Sequence, residues 1–68
     1  MITIAELRAR NNKMSQQKLA NEIGVGVDSV RRWERDIYTI SANNLIKLAT
    51  YFNVSSDDLL GTNKKISV

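Results

Sequence analysis

Residues 15–35 read SQQKLANEIGVGVDSVRRWER, and the strongest signals for the predicted fold lie in this stretch. Ser15 is a good helix N-cap, and Gly24 can adopt the left-handed conformation that ends a helix. Gly26 is an acceptable cap for a second helix over residues 27–35. Between the first cap and the turn, apolar residues share one helical face: Leu19, Ala20 and Ile23. The stretch therefore predicts two helices joined by a three-residue turn.

Two short helices joined by such a glycine turn define the helix-turn-helix motif. Ala20 is small, as the close crossing of the two helices requires, and Gly24 permits the sharp turn. Projected at about 100° per residue, the second helix has Val30 and Trp33 on one side, where we expect them to be buried with Val25. The outward side carries Val27, Asp28, Arg31, Arg32 and Arg35. Three outward arginines predict a recognition helix that enters the major groove of DNA.

Helix caps and apolar spacing predict three further helices outside this stretch. The predicted elements are a helix over residues 3–12 that Asn11 and Asn12 end, a polar loop over 36–39, a helix capped by Ser41, and a short helix between Ser55 and Gly61. No segment alternates long enough to predict a strand. The predicted fold class is all-α: a compact five-helix orthogonal bundle with a helix-turn-helix over residues 2–61, followed by a loose tail over 62–68.

Composition limits the classes of function. The chain has 68 residues, with no cysteine and no histidine, so it lacks the usual zinc ligands and the commonest general base. We therefore expect no metal site, no cofactor and no enzymatic activity. The net charge of +3 favours an anionic partner. No apolar run is long enough to span a bilayer, and the N-terminus lacks a signal-peptide pattern, so we expect a cytoplasmic protein that does not contact membranes.

Several runs of the sequence resemble the XRE, or Cro/lambda-repressor-like, family. They are residues 14–20, 23–25, 32–35, 45–49, 53–55 and 57–61. The resemblance extends over about residues 2–61. It implies a five-helix, lambda-repressor-like DNA-binding domain that regulates transcription from two-fold symmetric operators.

The resemblance also implies roles for individual residues. Those expected at base edges are Val27, Asp28, Arg32 and, at the border of that set, Arg31. Those expected at phosphates are Gln16, Arg35, Asn43, Asn44 and, as an open alternative, Gln17. Arg8 and Glu34 are expected to form a structural ion pair, with Arg10 as the substitute if the register differs.

The residues expected at the DNA also have purely structural interpretations. Asp28 lies in the first turn of a helix, where the helix dipole stabilises an acid, and phosphates would repel it unless it accepts from a cytosine amino group. Val27 either contacts a thymine methyl group or is an ordinary surface valine. Arginines on an arbitrary helix are most often solvated. Trp33 is interpreted as a core residue rather than as a stacking platform.

Four positions depart from the family pattern. Asp36 replaces the usual glycine after the Trp-Glu-Arg run, and Ile40 replaces a proline before the fourth helix. Gly26 stands where serine or threonine is common, and Lys13 stands where glycine is usual. These departures affect the expected loop geometry and phosphate contacts rather than the fold.

The sequence thus predicts a sequence-specific regulator, a repressor that binds operator DNA as a homodimer. Three alternatives stay open: an antitoxin with an additional protein partner, a controller of a restriction-modification system, and a helical interaction module without DNA binding. In the tail, Ile66 and Val68 are either loose or part of a dimer contact.

Overall fold

In the computed structural model, which describes residues 2–61, the chain forms five α-helices and one 3-10 helix. No strand occurs within these residues, so the all-α fold class is confirmed. The helices are α1 (Ile4–Arg10), α2 (Gln16–Ile23), α3 (Val27–Arg35), α4 (Ala42–Phe52) and α5 (Ser56–Leu60), and the 3-10 helix is Ile37–Thr39. The predicted tail, with Ile66 and Val68, lies outside the described residues.

Hydroxyl side chains begin four of the five α-helices. Each accepts a hydrogen bond from the backbone N–H three residues later, at 2.9–3.3 Å; the four are Thr3, Ser15, Ser41 and Ser55. At α1 the cap is reciprocal, because the N–H of Thr3 donates to Oε1 of Glu6 at 3.0 Å. α3 differs, since its N-cap is Gly26, which has no side chain to form a capping hydrogen bond.

The turn between α2 and α3 depends on the backbone conformation of Gly24. Its φ of 75° lies in the left-handed region that side-chain-bearing residues disfavour. A Cβ atom on Gly24 would meet nothing within 4 Å, so the requirement for glycine is conformational rather than steric. The N–H of Val25 then donates to the carbonyl of Ala20 at 2.9 Å, which closes the turn beneath α2.

The link between α1 and α2 differs from its prediction in length and conformation. α1 ends at Arg10 rather than near Asn12, and Asn11 has a φ of −103°, so it is not left-handed. The left-handed residues are Asn12 (φ 58°) and Lys13 (φ 55°). Two consecutive left-handed residues turn the chain back sharply enough for the N–H of Met14 to donate to the carbonyl of Arg8 at 2.9 Å.

The predicted loop over residues 36–39 is wrong, because Ile37–Thr39 form a 3-10 helix. The carboxylate of Asp36 caps it by accepting from the N–H of Tyr38 at 3.1 Å. The hydroxyl of Tyr38 donates to the carbonyl of Leu60 at 2.5 Å and so ties this segment to the end of α5, while most of its ring stays exposed.

All five α-helices contribute to one core. Its buried residues are Ile4, Leu7, Leu19, Ala20, Ile23, Val30, Trp33, Leu48, Ala49 and Leu59. Trp33 is the largest of them and is 2% exposed. α3 is therefore fixed from one side, and α2 packs directly against it.

Candidate nucleic-acid interface

α3 has one buried and one exposed face. Val30 and Trp33 lie in the core, as predicted. The side chains of Arg31, Arg32 and Arg35 are exposed on the other face, together with Asp28. Val27 differs from these four, because it is half-buried and packs against the core. The exposed face is therefore almost entirely charged, with three cations and one anion.

Asp28 and Arg31 form an ion pair on this exposed face. Nη1 of Arg31 lies 3.2 Å from Oδ1 of Asp28, one helical turn earlier. The side chain of Arg31 is 57% exposed and that of Asp28 is 91% exposed, so solvent reaches both groups. The acid thus has a partner besides the helix dipole, which the sequence analysis did not anticipate.

Arg8 and Glu34 form the ion pair that the sequence analysis expected, and its geometry is bidentate. Nε of Arg8 lies 2.7 Å from Oε2 of Glu34, and Nη2 lies 3.1 Å from Oε1. The two side chains are only 19% and 14% exposed. Nη1 of Arg8 also donates to the carbonyl of Met14 at 2.8 Å. The pair therefore joins α1, the link after it and α3.

Gln16 joins the same cluster. Its Nε2 donates to Oε1 of Glu34 at 2.9 Å, and the side chain is half-buried. Sequence reasoning missed this contact, although one signal was available: a carboxylate can accept more hydrogen bonds than one arginine supplies. The bond fixes one N–H of the Gln16 amide at the start of α2, directly beside α3.

The other residues expected at phosphates lie at helix ends. Nε2 of Gln17 donates to Oδ1 of Asn21 at 3.1 Å on the exposed side of α2. Asn43 is exposed and Asn44 half-buried in the first turn of α4, while Arg35 is the last residue of α3. The contacts of all these residues, and of Val27, Asp28, Arg31 and Arg32, with DNA stay predictions.

The described residues contain no group of three or more acidic, cysteine or histidine side chains that would hold a metal ion. None of their helices has the length and apolar character needed to cross a membrane. Every buried polar side-chain atom among them has a hydrogen-bond partner. No polar or charged residue of the described region is fully buried, and the least exposed charged side chains include Arg8 and Glu34.

A comparison with protein families identifies the family of the chain. A family model described as helix-turn-helix matches residues 4–59, which include all five α-helices except the last residue of α5. No curated protein and no solved structure matches the chain significantly. The match spans most of the chain and agrees with the resemblance described above. The chain therefore belongs to the XRE-type helix-turn-helix family of DNA-binding transcription regulators.

Proposed function

We propose that the protein is a transcriptional repressor that binds a two-fold symmetric operator as a homodimer, with α3 in the major groove. The observation that supports this proposal is the charged outer face of α3. Its three arginines lie opposite a side chain that is almost fully buried, Trp33. A helix that is held from one side and basic on the other is suited to dock against a polyanion without rearranging.

In this proposal, two sets of residues have different roles. Val27, Asp28, Arg31 and Arg32 contact base edges and so select sequence. Gln16, Gln17, Arg35, Asn43 and Asn44 contact phosphates and position the domain. Half-buried Val27 offers only part of its side chain, which suits contact with a thymine methyl group. The ion pair between Arg8 and Glu34 supports the interface from behind without touching DNA.

The small size of the reading surface supports a homodimer. α3 has nine residues, and only its outward face can reach base edges. Two copies related by a two-fold axis would read two half-sites about 10 base pairs apart, one turn of DNA. Bound in this way, the dimer represses by occupying the operator, in the cytoplasm where the DNA lies.

Selection of bound sequences from a randomised DNA pool tests the proposal. We expect the wild type to select a two-fold symmetric motif. Arg32→Ala should flatten the preference at one base pair of each half-site, because a bidentate contact of arginine with guanine contributes about 1–3 kcal/mol of discrimination. Arg10→Ala is the matched control, since it removes the same charge from the exposed side of α1, where Arg10 lies near Glu6.

Three results would each contradict a part of the proposal. If the wild type selects no motif, the chain does not bind DNA sequence-specifically. If the wild type and Arg32→Ala select the same motif with equal sharpness at every position, Arg32 does not read bases. A motif without two-fold symmetry would argue against the homodimer alone.

A further inference from the structure

The outer face of α3 contains an acid that a DNA-binding surface does not need for affinity. α3 has two carboxylates, and they differ in orientation. Glu34 is turned inward, where it accepts from Arg8 and Gln16. Asp28 is turned outward and is 91% exposed, with Nη1 of Arg31 3.2 Å from its Oδ1. The outer face of α3 thus holds a hydrogen-bond acceptor, Asp28, beside a hydrogen-bond donor, Arg31.

This arrangement disfavours contact with the DNA backbone. Phosphates repel the Asp28 carboxylate, and the same carboxylate competes with phosphates for the guanidinium of Arg31. Because most non-specific affinity comes from phosphates, the pair weakens binding to DNA of any sequence.

The same arrangement complements one kind of base pair. In the major groove, cytosine offers the N4 amino group as a donor, and guanine offers O6 and N7 as acceptors. A carboxylate accepts from cytosine, and an arginine donates to guanine. An acceptor and a donor on one face of a helix, three residues apart, can therefore engage both bases of a single C·G pair.

We propose that Asp28 and Arg31 act as one reading unit, which selects a C·G base pair and lowers affinity for all other DNA. This inference rests on the proposed function, because it requires α3 to lie in the major groove. It adds the chemical identity of one recognised base pair, and it gives Asp28 a role in rejecting non-specific DNA.

A second ion pair provides a matched control. Nζ of Lys18 lies 3.1 Å from Oε2 of Glu22 on α2, also one turn apart and also exposed. Asp28→Asn and Glu22→Gln each replace a carboxylate by its amide and raise the formal net charge of +3 by one. An effect of formal net charge alone should therefore be equal in the two variants, whereas an effect of a carboxylate placed on the outer face of α3 appears only in the first.

The experiment measures affinity for a duplex without the selected motif, together with sequence selection, for both variants and for Arg31→Ala. We expect Asp28→Asn to bind the non-specific duplex several-fold more tightly than Glu22→Gln does. Its selected motif should lose C·G at one position of each half-site or change there to A·T, since asparagine pairs with adenine. Arg31→Ala should lose preference at that same position, by about 5- to 150-fold, the range of a bidentate contact. Glu22→Gln should keep the wild-type motif.

The inference is overturned if Asp28→Asn and Glu22→Gln bind the non-specific duplex equally, or if Asp28→Asn and Arg31→Ala alter different positions or none. Failure of the proposed function would be distinct, because the wild type would then select no motif. If the wild type selects a motif that Arg32→Ala flattens while Asp28→Asn leaves it unchanged, only the reading unit is wrong. Thermal melting of each variant shows that it is folded, and Asp28 is too exposed for its replacement to disturb the core.

Discussion

The two faces of α3 use similar residue types for different purposes. On the inner face, the carboxylate of Glu34 accepts hydrogen bonds from Arg8 and Gln16, and Trp33 is buried in the core. On the outer face, Asp28 and Arg31 also form an ion pair, but solvent reaches both. Burial, rather than the presence of a charge pair, therefore determines which side of the helix stabilises the fold. Substitutions on the inner face should therefore lower the stability of the fold, and substitutions on the outer face should change DNA binding.

The largest effect is expected at Trp33, which fixes the inner face. Trp33→Ala should lower the free energy of unfolding by about 3–5 kcal/mol, because it removes a large buried side chain and leaves a cavity. For a chain of this size, with a total stability of about 3–10 kcal/mol, that loss is a large fraction of the whole. Ile46→Ala, at an exposed apolar residue of α4, is the control and should melt close to the wild type. A similar melting temperature for Trp33→Ala and the wild type would show that the assignment of the two faces is wrong.

A smaller effect is expected at Glu34, where the comparison between buried and exposed ion pairs is most direct. Glu34→Ala should lower the free energy of unfolding by about 1–3 kcal/mol, because Arg8 stays half-buried with its charge unpaired. Glu22→Ala removes the carboxylate of an exposed pair and should cost at most about 0.5–1 kcal/mol. Chemical denaturation of both variants measures the difference. Equal losses would mean that burial does not distinguish the two pairs.

The smallest effect on stability is expected at Arg35, on the outer face. Arg35→Ala should change the free energy of unfolding by about 0.5 kcal/mol or less, as for most exposed positions. Its effect should appear in DNA binding, because affinity should fall about equally for all sequences. The negative slope of the logarithm of the binding constant against the logarithm of the salt concentration should become shallower by about 1. Titrations at several salt concentrations measure both. A change in the preferred sequence would instead assign Arg35 to base reading.

Local signals account for the features of the fold that the sequence predicted. Ser15, Ser41 and Ser55 each form a cap within three residues of their position, and Gly24 forms a turn through its own backbone conformation. Such features need no knowledge of distant residues. The division of α3 into two faces was predictable for the same reason, since helical periodicity alone places Trp33 opposite the arginines.

The features that sequence analysis missed depend on contacts between elements or between side chains. Gln16 bonds to Glu34, 18 residues further along the chain, and only the packing of α2 against α3 makes them neighbours. The 3-10 helix after α3 is tied to α5 through the hydroxyl of Tyr38. Lys13 was recognised as an unusual replacement for glycine, but its left-handed backbone became clear only once the path of the link was known. Propensity gives little guidance where tertiary contacts decide the conformation.

The reciprocal cap of α1 makes one end of the protein sensitive to acid. The pKa of the Glu6 carboxyl is lowered, mainly by the hydrogen bond from the backbone N–H of Thr3 and further by the Thr3 hydroxyl. Because the folded state holds the carboxylate ionised, this stabilisation is complete above the ordinary pKa of glutamate and is lost as the pH falls through the lowered value. The caps at Ser15, Ser41 and Ser55 are hydroxyls, which do not titrate in this range.

Acidification should therefore loosen the first turn of α1 while the caps of α2, α4 and α5 persist. In an NMR titration, the amide proton of Thr3 should shift as Glu6 is protonated, whereas the amide proton of Lys18, bonded to the Ser15 hydroxyl, should not. Simultaneous shifts of both would mean that the whole domain, rather than one turn, responds to the proton. Since α1 also carries Arg8 to Glu34, the same titration tests whether loosening of the first turn of α1 reaches the ion pair behind α3.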